Sequence, residues 1–187
     1  PFGNTQPPFS AGELALGAQA RFFARVGGNS PKEMTQIFIA AEQFKGTALI
    51  EVLQNCVIFN HGCFAEFTDK AVREDKQLHV EHGQPMIFGK NRDRGLILEG
   101  LKLRTVILGE NGISEEDILV HNAHEPDPTL HQMLVRIQDP LVTGVIRCFE
   151  DVTLEEREEA LTQQVMERSR FSRTDDLFYS GQTYEVI

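Results

Sequence analysis

Apolar positions along this chain come in short blocks whose spacing alternates between helical and extended. Ser10 followed by Glu13 has the form of a capping box and predicts a helix carrying Leu14, Leu16 and Ala18. That helix hands over to an apolar run at Phe22–Val26. Ser30-Pro31-Lys32-Glu33 is a second helix start, with a Ser cap, Pro at the first helical position and Glu at the third. Met34, Ile37, Phe38 and Ala41 then recur at helical spacing, and Lys45-Gly46 ends the helix with a cation followed by Gly. Thr47–Leu53 is rich in branched apolar residues and too short for a helix, which predicts a buried strand. Strand, helix and strand make one β-α-β unit, implying parallel strands and a right-handed crossover. Residues 1–60 are therefore expected at the edge of an α/β sheet.

The middle is less regular. Thr68 is placed to cap a short helix over Ala71–Asp75, and Gly83-Gln84-Pro85 and Gly89–Gly95 are turn-rich. Leu96–Glu99 and Leu103–Leu108 bracket Gly100, a hairpin pattern. Asp127-Pro128 starts a helix with Leu130, Leu134 and Ile137 on one face, and Val142–Phe149 predicts a strand. Thr153–Glu156 is a further capping box, opening a charged helix to about Arg170. Its apolar stripe, Leu154, Leu161 and Val165, is thin enough to need a partner surface. The end carries Phe171, Phe178, Tyr179, Tyr184 and Ile187, an aromatic-rich tail suited to docking.

Composition narrows the classes. The 187 residues are 41% hydrophobic, enough for a real core. Eighteen basic and 28 acidic residues give a net charge of −10, which argues against non-specific nucleic-acid binding. No apolar run approaches the roughly 20 residues of a membrane helix. The first residues show no signal-peptide pattern, and three cysteines do not make a disulfide framework. A reducing, cytoplasmic setting is expected. Pro1–Pro8 holds three prolines and no start Met, as a fragment or processed product would.

Cys56, with Asn55 and Asn60, falls just past the predicted strand 47–53, at the strand end where ligand-binding loops gather in parallel α/β sheets. A thiolate there is a metal ligand or nucleophile; a buried free Cys acting as a small apolar residue is the alternative. Cys56, His61 and Cys63, with His79 and His82 beyond, suit zinc by donor type but lack C-x2-C or H-x3-H spacing. His121 and His124 face Glu125 and Asp127, either as a metal or acid–base pair or as a solvated loop. No G-x-S-x-G, phosphate-loop or G-x-G-x-x-G motif is present. The acidic runs Glu115–Asp117 and Glu155–Glu159 are expected as solvated faces.

The stretch Lys45-Gly46-Thr47-Ala48-Leu49-Ile50-Glu51-Val52-Leu53-Gln54-Asn55-Cys56-Val57-Ile58-Phe59-Asn60 resembles the β subunit of 2-oxoacid:ferredoxin oxidoreductases, most closely the 2-oxoglutarate type. His82–Pro85, Leu119–His121, Asp127–Leu130 and Ser180–Val186 extend the resemblance over most of the chain. It implies an α/β fold: residues 1–63 as the last β-α-β part of a thiamine-diphosphate-binding parallel sheet, and residues 64–187 as a C-terminal extension with a small hairpin and helices. It implies thiamine diphosphate, Mg2+ and one [4Fe–4S] cluster, with oxidative decarboxylation of a 2-oxoacid to an acyl-coenzyme A, or the reverse carboxylation. Partners would be the α subunit, ferredoxin and coenzyme A, with no nucleic acid and no membrane. The family's fourth cluster cysteine, which follows a strand, is matched by Cys56; Cys63 and Cys148 match no ligand and would be structural.

The family's C-x-x-C pair and its GDG-type cofactor turn are absent. The chain is therefore expected to be the C-terminal portion of such a subunit, inactive alone, with helix 153–170 and the tail docking on an α or second β subunit. A non-catalytic interaction module and a small zinc protein using Cys56, His61 and Cys63 are the other readings.

Overall fold

A computed structural model describes residues 5–169 and, beyond them, residues 171, 173–178, 180–182, 184 and 186. Two compact units divide the chain, Pro1–Glu150 and Asp151–Ile187.

The first unit opens with α1 (Ala11–Gly17), where Ser10 Oγ accepts from the backbone N–H of Glu13 at 3.3 Å. Strand β1 (Phe22–Gly27) is buried at all six positions. Helix α2 (Pro31–Gln43) starts on Pro as expected, but Ser30 contributes its backbone carbonyl, accepting from Met34, and no side-chain cap bond. Strand β2 (Ala48–Leu53) runs parallel to β1, from Phe22 opposite Ala48 to Gly27 opposite Leu53. The β-α-β unit is therefore present. The burial expected of 47–53 belongs instead to β1, because β2 lies at the sheet edge with Leu49 and Val52 exposed. Phe38, expected on the inner face of α2, is also exposed; Ile37 holds that face.

Two four-residue helices follow, α3 (Ala65–Thr68) and α4 (Arg73–Lys76). Thr68 ends the first of them, its hydroxyl donating to the Phe64 carbonyl at 2.9 Å, and does not cap a helix over 71–75. Then come β3 (Gln77–Val80), β4 (Ile87–Phe88), and the expected hairpin of β5 (Arg94–Glu99) and β6 (Lys102–Ile107) turning at Gly100. Helix α5 (Thr129–Arg136) begins where Asp127 accepts from the Thr129 N–H at 2.8 Å, and β7 (Leu141–Cys148) is the predicted late strand.

The main sheet has the order β2-β1-β7-β3. The β2/β1 and β7/β3 pairs are parallel, but β1 and β7 are antiparallel, so the sheet is mixed where a parallel one was expected. Strands β3 and β7 lie beyond residue 63 and complete the sheet begun by β1 and β2. Gly144, in the middle of β7 at φ +99°, lets β3 approach: a Cβ there would collide with the Val80 carbonyl oxygen.

The two sheet faces carry two cores. Phe23, Leu78, Val142 and Ile146 pack with Leu16, Leu134, Met86 and Leu96; Phe22, Ala24 and Val26 pack with Ile37 and Phe44. The Phe22 and Phe44 rings meet at 5.3 Å, a tilted aromatic contact.

The second unit contains α6 (Leu154–Arg168) and α7 (Thr174–Phe178). The expected capping box closes both ways, Glu156 N–H to Thr153 Oγ1 at 3.2 Å and Thr153 N–H to Glu156 Oε2 at 2.9 Å. Leu154, Leu161 and Val165 are exposed along α6, as are Phe178 and Tyr184 beyond it, while Phe171 is half-buried. Arg170, Tyr179 and Ile187 lie outside the described residues. Among the described residues no helix is long and apolar enough to cross a membrane.

Candidate functional site

The C-terminal ends of parallel β1 and β2 lie side by side, tied by the Gly28 N–H to the Leu53 carbonyl at 2.9 Å. The chain then forms a compact loop. Asn55 Oδ1 accepts from the Gly62 N–H at 2.7 Å, and the Asn60 N–H returns to the Cys56 carbonyl at 3.0 Å. Cys56 is exposed at this rim. The backbone N–H groups of Phe59, Ile58 and Asn60 face its sulfur and hold the thiol below its ordinary pKa, because N–H dipoles favour the thiolate. Asn55 and Asn60, singled out with Cys56 on the sequence, thus shape the loop. A cavity of about 450 Å³ opens at the same strand ends, lined in part by Asn29, Gln54, Asn55, His61 and Asp69.

The remaining candidates do not converge. Among the described residues, no three His, Cys, Asp or Glu side chains are placed to hold one metal ion. That removes support for a zinc centre at Cys56, His61 and Cys63: the backbone of residues 58–60 is what faces the Cys56 sulfur, and Cys63 is half-buried farther along the loop. His79 pairs with Glu33 on α2 at 2.7 Å, and this pairing holds its pKa up. His82 packs against His124 with the rings tilted by 59° and their centroids 4.3 Å apart.

Residues 121–128, for which a solvated loop was one alternative, form an ordered strap on β7. His121 is fully buried and bonds the Val145 carbonyl through Nε2 at 3.0 Å; its Nδ1 meets no hydrogen-bond partner. Burial pushes its pKa down to about 4. His124 Nδ1 bonds the Cys148 carbonyl, while Asp127 Oδ1 accepts from the Thr129 N–H and hydroxyl at 2.8 and 2.6 Å, so the two side chains are engaged apart from each other. Sequence reasoning missed His131 and Arg147. Arg147 Nη1 meets His131 Nδ1 at 2.9 Å and the Glu125 carbonyl at 2.8 Å; Nη2 meets the Pro126 carbonyl at 2.8 Å. Since Arg can only donate, His131 Nδ1 accepts, and its Nε2–H donates to the Asn122 carbonyl at 2.9 Å. No spacing motif announces such a network; the only sequence signal is a lone Arg in an apolar strand.

Two predictions follow from these environments. Cys56 will alkylate with iodoacetamide faster than Cys148 near neutral pH, because burial raises the Cys148 pKa while the N–H groups lower that of Cys56; peptide mass spectrometry reads both rates. Equal rates would contradict the assigned environments. The two histidines titrate in opposite directions from the ordinary 6.5. The raised His79 value gives stability that is full below 6.5 and lost as pH rises through the folded value; Glu33→Gln should flatten that loss in urea unfolding. The depressed His121 value gives stability full above 6.5 and lost as pH falls toward about 4, on the order of 3 kcal/mol. An NMR titration in which His121 protonates near 6.5 would refute its assignment.

No protein-family model and no solved structure matches the chain. Among curated proteins it is similar to the 2-oxoglutarate oxidoreductase subunit KorB of Mycobacterium tuberculosis (strain ATCC 25618 / H37Rv), with 34% identity over 167 residues. The match covers 89% of this chain and 44% of the relative, so the chain spans less than half the length of the curated protein it matches. Nearly the whole chain is thus similar to a 2-oxoglutarate oxidoreductase subunit, and it matches that subunit as a portion of one would.

Proposed function

We propose that this chain is the C-terminal portion of the β subunit of a cytoplasmic 2-oxoglutarate:ferredoxin oxidoreductase, and that Cys56 is one thiolate ligand of its [4Fe–4S] cluster. The observation that carries the reading is the Cys56 environment: an exposed thiol at the end of a parallel strand pair, with three backbone N–H groups stabilising its charged form. Such N–H groups also stabilise the charge on a cluster's sulfur ligands and help set its potential. Similarity to a 2-oxoglutarate oxidoreductase subunit, at 34% identity over 167 residues, supports the substrate class.

The residues present fit this group in part. A cluster commonly takes four thiolates; this loop offers Cys56, while the half-buried Cys63 matches no ligand in the resemblance and Cys148 is kept protonated by burial. Three ligands therefore come from other polypeptide, and so do the groups that hold thiamine diphosphate and Mg2+, since the described residues bring no metal-binding cluster together. When bound, these cofactors supply decarboxylation of the 2-oxoacid and one-electron transfer to ferredoxin, with coenzyme A taking the acyl group, or the reverse carboxylation. This chain's contribution is positional. Asn55 closes the loop through Gly62, and the ladder of β1 and β2 fixes where that loop starts. By itself the chain is expected to be inactive.

In the complete enzyme, Cys56→Ser should abolish the cluster or lower its stability and potential, read by iron content and electron paramagnetic resonance, and suppress ferredoxin reduction. Cys63→Ser and Cys148→Ser should leave the signal intact. An unchanged [4Fe–4S] signal and full activity in Cys56→Ser would refute the ligand assignment.

The exposed stripe of α6 supports a second element of the proposal, docking of this helix on the α subunit or a second β subunit. Leu161→Glu should weaken subunit association at least tenfold in analytical ultracentrifugation without unfolding the chain. Unaltered association would remove α6 from the interface.

A further inference from the structure

A second gathering of titratable groups lies where the strap of residues 121–128 crosses β7. Four of the chain's six histidines meet there: His121 and His124 on the strap, His131 on α5, and His82 on the loop after β3. Their rings make two contacts, His82 with His124 at 4.3 Å and His121 edge-on to His131 at 6.1 Å. Arg147 of β7 joins them, buried, with its guanidinium carbon 5.3 Å from the centre of the Phe149 ring. The proposed function uses none of these groups.

His131 sits at the centre of the strap's attachment. Its Nε2–H donates to the Asn122 carbonyl, and its Nδ1 accepts from Arg147, whose guanidinium also donates to the carbonyls of Glu125 and Pro126. This set requires a neutral imidazole. A proton on Nδ1 turns that atom from acceptor into donor and leaves two cationic donors 2.9 Å apart, away from water. Two movements relieve the conflict. Withdrawal of Arg147 frees the Glu125 and Pro126 carbonyls, and rotation of the His131 ring frees the Asn122 carbonyl. Either way the bonds given up are bonds to the strap. The other histidines add to the same push, since charged His82 and His124 rings would repel each other, and a charged His121 would repel His131. The closed arrangement is also incompletely satisfied, because His121 Nδ1 and Arg147 Nε are buried without a hydrogen-bond partner.

We infer that the strap 121–128 is an acid-operated latch, closed on β7 while His131 is neutral and released when its Nδ1 takes up a proton. The charged groups around His131 are Arg147 from β7 and Glu125, Asp127 and His121 from the strap. Of the charges on the other elements packed against α5, Glu13 of α1 is held by Arg136 at 3.1 Å, Arg104 of β6 is held by Glu99 at 3.1 Å, and Lys102 is exposed. Glu125 and Asp127 favour the proton, but both are exposed and screened by water. Burial first, and then the Arg147 charge, hold the His131 pKa below the ordinary 6.5, against the Asn122 bond and the two carboxylates. Closure is therefore at full strength above 6.5 and is lost as pH falls through the closed-state value. Ala123 and His124 of the strap wall a cavity of about 350 Å³ beside α2, β3 and β7, with Cys148 on its lining. The strap also bonds Cys148 directly: the Cys148 N–H donates to the Ala123 carbonyl at 2.7 Å, and the Cys148 carbonyl accepts from His124. Release thus uncovers the Cys148 thiol.

Amide hydrogen exchange of the complete subunit, read by mass spectrometry and corrected for the intrinsic effect of pH, tests the latch. Protection of peptides covering 121–128 should fall about fivefold or more between pH 7.5 and 5.0, while peptides of β1 stay protected. Reaction of Cys148 with 4,4′-dithiodipyridine should speed up over the same range, against the ordinary slowing of a thiol as its thiolate fraction falls. His131→Asn, which keeps an acceptor for Arg147 but does not titrate, should remove both pH effects. Constant protection at 121–128, or a loss in step with β1 as in general unfolding, would overturn the latch. So would the full pH effect in folded His131→Asn. Where that variant does not fold, isotope-labelled His131 in the unsubstituted subunit decides by NMR: titration at the midpoint of strap exchange supports the latch, and titration away from that midpoint overturns it. None of these readouts involves iron or Cys56.

Discussion

Strand β1 is the constraint on which the first unit depends. Its backbone is used on both sides, by β2 in parallel and by β7 in antiparallel register, and its side chains serve both cores, Phe23 on one face and Phe22, Ala24 and Val26 on the other. Full burial of six consecutive residues leaves no freedom to slip, because a one-residue shift would exchange the two faces. Arg25 opposite Glu51 locks the same register with a partly buried ion pair. The ends of β1 and β2 are therefore fixed in space, and the Cys56 loop inherits that fixity. Truncating Phe22 would be expected to remove about 3–5 kcal/mol by the general cost of core aromatic deletion, and the loop would lose its base with it.

The same electrostatic rules drive the two ends of the unit apart. On β7, burial holds the Cys148 thiol protonated and His121 neutral, and Arg147 spends its donors on carbonyls and on His131 to pin residues 121–128. At the β2 end, water and three backbone N–H groups favour the Cys56 thiolate. Charge is suppressed at one thiol and favoured at the other, although both follow apolar strand residues in the sequence.

What the sequence disclosed was local. Capping at Ser10, Pro31 and Thr153, the β-α-β spacing of 22–53 and the turn at Gly100 all depend on residues close in the chain, and each produced its element. Non-local pairing was hidden. Val142–Phe149 was recognisable as a strand, but nothing in its residues says that it lies antiparallel beside β1 or that the sheet becomes mixed. His121 looked like a loop residue because its burial is created by β7 and α5. The apolar run 47–53 was expected to be buried and is an edge. Its composition suits an interior position, but among the described residues it pairs with β1 alone. The place of Cys56 could be anticipated from the strand end; the N–H groups of 58–60 that tune it could not, since they depend on how the loop closes through Asn55 and Gly62.

Were Cys56 to ligate iron as proposed, apolar cover and metal ligation at this rim would be thermodynamically coupled. Val57, Ile58 and Phe59 gain free energy when removed from water, by about 25 cal/mol per Å² of apolar surface, which favours polypeptide closing over the loop. Closing over it also removes water from Cys56, and desolvation raises a thiol's pKa, opposing the three N–H groups that now favour the thiolate. An uncompensated thiolate would resist the cover; a protonated thiol would accept it but could not ligate. The proposed cationic iron centre on the sulfur would resolve the conflict, since it would stabilise the deprotonated ligand where water no longer can. In the proposed enzyme, the exposed apolar residues and the thiol with a lowered pKa would thus be two sides of one site, each making the other's completion more favourable.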